Sequence, residues 1–216
     1  MNIALIGYGK MGKEIESISK DRGHKIGLII KEKNQLIDFK DIDVAIDFST
    51  PDSAFNNIKL ALSNKVPTVS GTTGWLEKLE DAKAICHKNN TAFLYASNFS
   101  IGVNLFFKLN QFLSKLMTNQ DQYNANMTEI HHIHKLDAPS GTALRLKQDI
   151  NQCDIKSIRK DEVPGTHIIS YDSVIDSIEI KHEAHNRKGF ALGAIIAAEW
   201  LYNKKGVFGM NDVLNL

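Results

Sequence analysis

The sequence predicts an α/β protein, a doubly wound parallel sheet with a smaller α+β domain inserted into it. Three observations predict this. Over the first hundred residues, short apolar runs alternate with segments of helical period. The pattern Gly7-Tyr8-Gly9-Lys10-Met11-Gly12 stands between the first run and the first helix. After Asn98 the rhythm breaks, and residues 190–202 then form one helix rich in Ala, Ile and Leu. The expected division is a first domain at 1–98 plus 190–216 and an inserted second domain at 99–189.

Asn2 to Ile6 is continuously apolar, as a buried parallel strand requires. Met11, Ile15 and Ile18 recur at helical spacing, and Gly23 stands where a C-terminal cap belongs. Lys25 to Ile30 and Val44 to Phe48 read as strands. Thr50-Pro51-Asp52 is an N-cap, a proline at the first helical position and an acid in the first turn, so a helix runs from there to about Ser63. Thr68 to Ser70 is a strand, Glu77 to Lys88 a helix and Ala92 to Ala96 a strand. In the second domain, Val103 to Met117 is an amphipathic helix, Met127 to His132 strand-like and Leu144 to Ile150 helical. Thr166 to Glu183 alternates, with Ile168, Tyr171, Val174, Ile178 and Ile180, as antiparallel strands do.

With 216 residues, 43% apolar and 24% charged, the chain is an ordinary globular protein. A net charge of +1 gives no field for nucleic acid or membrane. No run of 18 apolar residues predicts a membrane span, and MNIALIGYGKMG lacks the basic leader of a secretory signal. Cys86 and Cys153 fall in no motif and read as reduced thiols, so a cytoplasmic protein is expected.

The glycine pattern follows a strand and opens a helix, the context in which it binds a dinucleotide: a tight turn brings a pyrophosphate to the helix N-terminus. An acid commonly ends the second strand of such units and holds the ribose 2′-hydroxyl. Here Lys31 takes that place, or Glu32 under a one-residue shift. Lys31 and Lys10 are candidates to hold a 2′-phosphate, or else solvated surface charges. Ser70-Gly71-Thr72-Thr73-Gly74 ends a strand at the carboxyl edge of the sheet, where ligands bind, and is otherwise a surface loop.

Residues 130–143, Ile-His-His-Ile-His-Lys-Leu-Asp-Ala-Pro-Ser-Gly-Thr-Ala, hold three histidines, a lysine and a helix-opening Ser-Gly-Thr turn. Histidine titrates near neutral pH and suits proton donation. A helix start offers free N–H groups to a carboxylate, and Ser140-Gly141-Thr142 reads as such a site, as a plain N-cap, or both. His131, His132 and His134 with His182 or His185 form a rival zinc set, but no cysteine or carboxylate recurs at metal spacing and Lys135 would stand beside the ion, so no metal is expected. His182-Glu183-Ala184-His185 is a weaker signal. A cofactor loop joined to a proton-donating, anion-binding segment points to a redox enzyme. A non-catalytic dinucleotide sensor would lack the charged segment, and a semialdehyde dehydrogenase would need a well-placed nucleophilic cysteine.

With these residues quoted, the chain resembles the dihydrodipicolinate reductase family over nearly its whole length. The match runs through the glycine loop 7–12, Asp47-Phe48-Ser49, the 70–74 loop, Asn98-Phe99-Ser100-Ile101-Gly102-Val103-Asn104, and the segment from His131 to Ala143. The resemblance implies reduction of a cyclic imine dicarboxylate with NADH or NADPH, on the diaminopimelate route to lysine. It implies His131 as proton donor and Lys135 as catalytic lysine. Substrate contacts would be His132, Lys135, Ser140, Gly141 and Thr142. Cofactor contacts would be Gly7, Tyr8, Gly9, Lys10, Met11, Gly12, Gly71, Thr72, Thr73, Ala96, Ser97, Asn98 and Phe99, with Lys31 at the end of the second strand. It also implies a homotetramer assembled through the sheet of the second domain. Two features depart from the family pattern: Lys31 replaces the usual acid, and a Gly-Glu-His-Thr stretch is absent where Val163-Pro164-Gly165-Thr166 runs into the last strands.

Overall fold

A computed structural model describes residues 1–31, 37–186 and 188–216; Glu32, the alternative to Lys31, lies outside them. The chain forms two compact units, Met1–Ile101 with Lys188–Leu216, and Gly102–Arg187.

The first unit is a six-stranded parallel sheet. Its strands are β1 (Asn2–Ile6), β2 (Lys25–Ile30), β3 (Val44–Asp47), β4 (Thr68–Ser70), β5 (Ala92–Tyr95) and β10 (Gly206–Phe208), in the order β10-β5-β4-β3-β1-β2. The order reverses between β1 and β3, the switch point where doubly wound sheets bind ligands. β3 is buried throughout, as a strand covered on both faces must be. Helices α1 (Lys10–Asp21), α2 (Pro51–Ser63) and α3 (Leu79–Lys88) follow the strands. Gly23, with φ +79°, closes α1 by donating its N–H to Lys20 O at 2.9 Å. Pro51 opens α2, with Ser53 bonded back to Thr50. A 3₁₀ turn over Leu76–Lys78 takes the start predicted for α3.

Two later helices return to this unit, α6 (Lys188–Leu201) and α7 (Met210–Leu214). Small residues of α6, among them Ala191, Ala194, Ala197 and Ala198, are buried with Ile3, Leu5, Val44, Ile46, Val69 and Leu94 in the main core. A Cβ on Gly193 would lie 1.7 Å from Phe99 O, so glycine lets this helix touch the 96–99 backbone. β10 and α7 were not legible as elements: each is short, and β10 is only partly buried.

The second unit is a four-stranded mixed sheet, β7-β6-β8-β9, built from β6 (Asn124–His131), β7 (Asp154–Arg159), β8 (Gly165–Asp172) and β9 (Ser177–Ala184). β8 pairs antiparallel with both β6 and β9, and β7 runs parallel to β6. The alternation over 166–183 is therefore the predicted antiparallel pair. β7, reading Asp-Ile-Lys-Ser-Ile-Arg, is too polar to announce itself and survives as an edge strand. Helices α4 (Ile101–Met117) and α5 (Gly141–Lys147) supply Phe106, Leu113, Ala143 and Leu146 to a core with Met127, Ile169 and Tyr171. α5 starts three residues before its predicted start at Leu144, because Ser140 caps it: its Oγ accepts from Ala143 N at 3.2 Å. Among the described residues, no helix is long and apolar enough to cross a membrane.

Candidate active site

In the first unit, the turn after β1 faces the loop after β3. Gly7 has φ +87°, and a Cβ there would lie 2.2 Å from Phe48 O. A Cβ on Gly12 would lie 2.4 Å from Gly7 O, so α1 starts tight against the turn. Gly9 differs: a Cβ on it would meet nothing within 4 Å. It caps α1, whose first turn carries no acid. This open, unblocked helix start fits the pyrophosphate of a dinucleotide. Gly7, Tyr8, Gly9, Lys31, Phe48 and Asn57 help line a cavity of about 470 Å³. Lys31 Nζ stands 4.7 Å from the centre of the Tyr8 ring. The Tyr8 hydroxyl donates to Glu16, whose carboxyl is held below its usual range by hydrogen bonds from Lys20 and Tyr8 and by the nearby Lys31 charge. Lys10 is exposed at the helix start, while Met11 packs partly into the core.

The neighbouring loops are tied by a buried carboxyl, Asp47. It accepts from Ser49 Oγ at 2.6 Å, Thr72 Oγ1 at 2.8 Å and Ser70 Oγ at 2.9 Å. Burial raises its pKa, and these donors oppose the rise. Thr72 is thus a buried bracing residue, whereas Thr73 is exposed. A Cβ on Gly71 would lie 2.3 Å from the Phe48 ring, so its smallness serves that packing first. Phe48 in turn contacts Phe99, with ring centres 5.6 Å apart. Ala96 packs partly into the core, Ser97 is exposed, and Asn98 Oδ1 accepts from Ser100 N at 2.9 Å.

In the second unit, three neighbouring strands bring polar side chains together. Glu129 and His131 lie two residues apart on β6 and share a face. The register sets Glu129 opposite His167 on β8 and His131 opposite Arg159 on β7. Glu129 is fully buried. It accepts from Ser140 N at 3.1 Å on both oxygens and from Arg159 Nη2 at 3.2 Å. Burial raises its pKa, but bonds from Ser140, Ser157 and Arg159 outweigh burial and hold the carboxyl below its usual range. His131 Nδ1 stands 3.3 Å from Glu129 Oε2, off the hydrogen-bonding direction, and no described residue satisfies it. His167 meets the His131 ring edge-on, with centres 5.2 Å apart, and its Nε2 is 3.3 Å from Ser140 Oγ. Burial, with the nearby His131, drives the His167 pKa down to about 4. Burial lowers that of His131 also, against the pull of Glu129.

Lys135 follows a turn in which its N–H donates to His132 O at 3.1 Å. Its Nζ donates to Asp137 Oδ1 at 2.7 Å, and that pairing holds the Asp137 carboxyl below its usual range. His132 is half-buried, with a buried, unsatisfied Nδ1. Gly141 is exposed and open, and Thr142 is half-buried. His134 points away to Glu162, while His182 packs on Phe106 and stands opposite His167 in the sheet, where its charge adds to those that lower the His167 pKa. Among the described residues, the metal-type ligands that converge are Glu129, His131 and His167, within 4.8 Å of one another. Only His131 belongs to the rival zinc set read from the sequence, and Arg159 stands beside this trio. Cys86 and Cys153 are buried and their thiol pKa values are raised by burial, so neither is an activated nucleophile.

The family model described as dihydrodipicolinate reductase, N-terminus, matches residues 1–99, and the one described as the C-terminus of the same enzyme matches residues 102–214. The chain belongs to the dihydrodipicolinate reductase family. A 4-hydroxy-tetrahydrodipicolinate reductase of Christiangramia forsetii is 50% identical, covering 100% of this chain and 98% of the relative. That of Thermosipho africanus is 36% identical over 99% and 98%. Among solved structures, a dipicolinate-bound dihydrodipicolinate reductase from Paenisporosarcina sp. TG-14 superposes with TM-score 0.78 at 22% identity, over 98% of this chain and 99% of that one, and shares the fold. As a dihydrodipicolinate reductase family member, the chain is an oxidoreductase with a nucleotide-binding domain for a pyridine nucleotide. Glu129, Arg159 and His167 were not named from the sequence. The parity of Glu129 with His131 was a usable signal, but strand pairing alone brings in the other two.

Proposed function

We propose that this protein reduces 4-hydroxy-tetrahydrodipicolinate to tetrahydrodipicolinate in the cytoplasm, on the diaminopimelate route to lysine. The carrying observation is the full-length 50% identity to a relative of that name. His131, Lys135 and residues 140–142 meeting in one unit agree with it. The pyridine nucleotide supplies the hydride when bound. The residues that would hold it are Gly7, Tyr8, Gly9, Lys10, Met11 and Gly12, with Lys31, residues 71–73 and residues 96–99. Lys31 shares a cavity with Gly7 and Gly9, which favours a 2′-phosphate; NADPH should therefore serve at least as well as NADH.

His131 is the proton donor, a role worth roughly 100- to 10,000-fold in rate. Lys135 stabilises charge that develops on the substrate, exchanging Asp137 for it. His132, Lys135, Ser140, Gly141 and Thr142 hold the carboxylates. We assign assembly, as a homotetramer, to the sheet of the second unit; light scattering reads its mass. Oxidation of NADPH and NADH is followed with freshly made substrate. Turnover by the wild type is expected, and its absence with both cofactors would refute the assignment. Thr142→Val removes one donor, and losing a hydrogen bond to a charged group costs about 1.5–3 kcal/mol. The rise should fall on KM for substrate; an unchanged KM would leave the turn as a helix cap only.

A further inference from the structure

We infer that Glu129 is the positioning residue for His131, and that it couples this proton donor to the turn that starts at Ser140. The inference takes His131 as donor from the function proposed above. Its own footing is geometric. Glu129 is fully buried, and its oxygens accept from Ser140 on the carboxylate turn and from Arg159 on the neighbouring strand. Ser140 N and Arg159 Nη2 hold the carboxylate in place. His131 Nδ1 stands 3.3 Å from Oε2 of the same carboxylate, off the hydrogen-bonding direction, and that buried nitrogen has no hydrogen-bond partner among the described residues.

A buried imidazole with a carboxylate at one nitrogen is oriented by it, and its protonated form is stabilised. The second nitrogen is kept clear on one side, because residue 165 is a glycine whose Cβ would stand 3.1 Å from His131 Nε2. The two ring ends therefore divide their work. Nε2 releases its proton to the substrate, and the ring that remains is the neutral Nδ1–H form facing Glu129. The same carboxylate grips Ser140 N, while His167 touches Ser140 Oγ, so the proton donor and the carboxylate turn are set from one anchor. The groups that act on His131 are Glu129 on β6, Lys135 and Asp137 on the segment after it, Arg159 on β7 and His167 on β8. Lys135 and Arg159 oppose its proton; Glu129 and Asp137 favour it.

The test titrates His131 by NMR in the free protein, with ring-labelled histidine and His131→Asn for assignment. In Glu129→Gln the His131 midpoint should fall by about one unit or more, roughly a tenfold loss of the protonated ring at a given pH above it. Glu129→Asp, which keeps the charge, should return the midpoint toward wild type. The basic limb of the kcat/KM profile should move with it, while KM for the cofactor stays put. The wild type alone gives a further reading: ¹⁵N shifts should report the Nδ1–H tautomer. An unmoved midpoint in Glu129→Gln, or an Nε2–H tautomer in the wild type, would overturn the inference, and so would activity lost to a chelator and restored by zinc. The titration needs no substrate. A wild type that fails to turn over would refute the proposed reaction without touching the titration result.

Discussion

Gly7 and Gly9 stand two residues apart and are glycines for different reasons. Gly7 has a left-handed φ and a backbone oxygen 2.2 Å from where its Cβ would be, so Gly7→Ala should cost at least about 2 kcal/mol, read as a lower urea midpoint. Gly9 has room for a Cβ and a φ of −80° that any residue accepts. Gly9→Ala should leave the urea midpoint unchanged and weaken cofactor binding, read by fluorescence titration; an unaltered Kd would show that nothing approaches that face. At the other site, His131→Ala and Lys135→Ala should each lower kcat far more than they weaken cofactor binding, since neither residue belongs to the nucleotide-binding unit. Near-normal kcat in both would end the catalytic assignment. These four positions were legible because glycine, histidine and lysine carry their chemistry in the residue type. Glu129 was not, since a lone glutamate in a strand reads as surface charge until burial is known.

At the scale of elements, α6 shows how a helix is chosen for what it touches. Its buried stripe is mostly alanine and glycine, and a side chain at 193 would drive into the carbonyl of Phe99. Gly193→Ala should therefore destabilise by about 1–3 kcal/mol or more despite its better helix propensity, read as a lower thermal midpoint. The sequence announced α6 by its apolar run, yet the glycine's purpose lies in a contact almost a hundred residues distant. α5 shows the converse. Apolar period alone begins it at Leu144, whereas the cap chemistry of Ser140, a hydroxyl bonded to Ala143 N, sets the boundary at Gly141. Lys135 lies beyond β6, on a turn closed by its N–H donating to His132 O, and its amine goes to Asp137.

Over the whole molecule, the second unit gathers histidines whose burial opposes charge: His131, His167 and His182. The unfolded chain protonates histidine near its ordinary value of about 6.5, but burial holds folded His167 down to about 4. Between those values the unfolded state holds the extra proton, so stability present at neutral pH is lost as pH falls. For His167 alone the loss approaches about 3 kcal/mol. Glu129 and Glu199, held below their usual range, add losses at lower pH still, while Asp47 acts in the opposite sense. Urea midpoints should fall between pH 7 and pH 5, and His167→Gln should flatten the slope; an unchanged slope would mean that the ring is solvated. The sequence by itself determined the doubly wound sheet, the antiparallel pair of the second unit, the glycine turn and the 131–142 segment. Each is written in local period, cap chemistry or residue type within a few positions. Only the tertiary structure decided that Glu129, Arg159 and His167 surround His131. Three strands separated by loops must pair in one register before their side chains share a face, and that register follows from burying Met127, Ile169 and Tyr171 under α4 and α5.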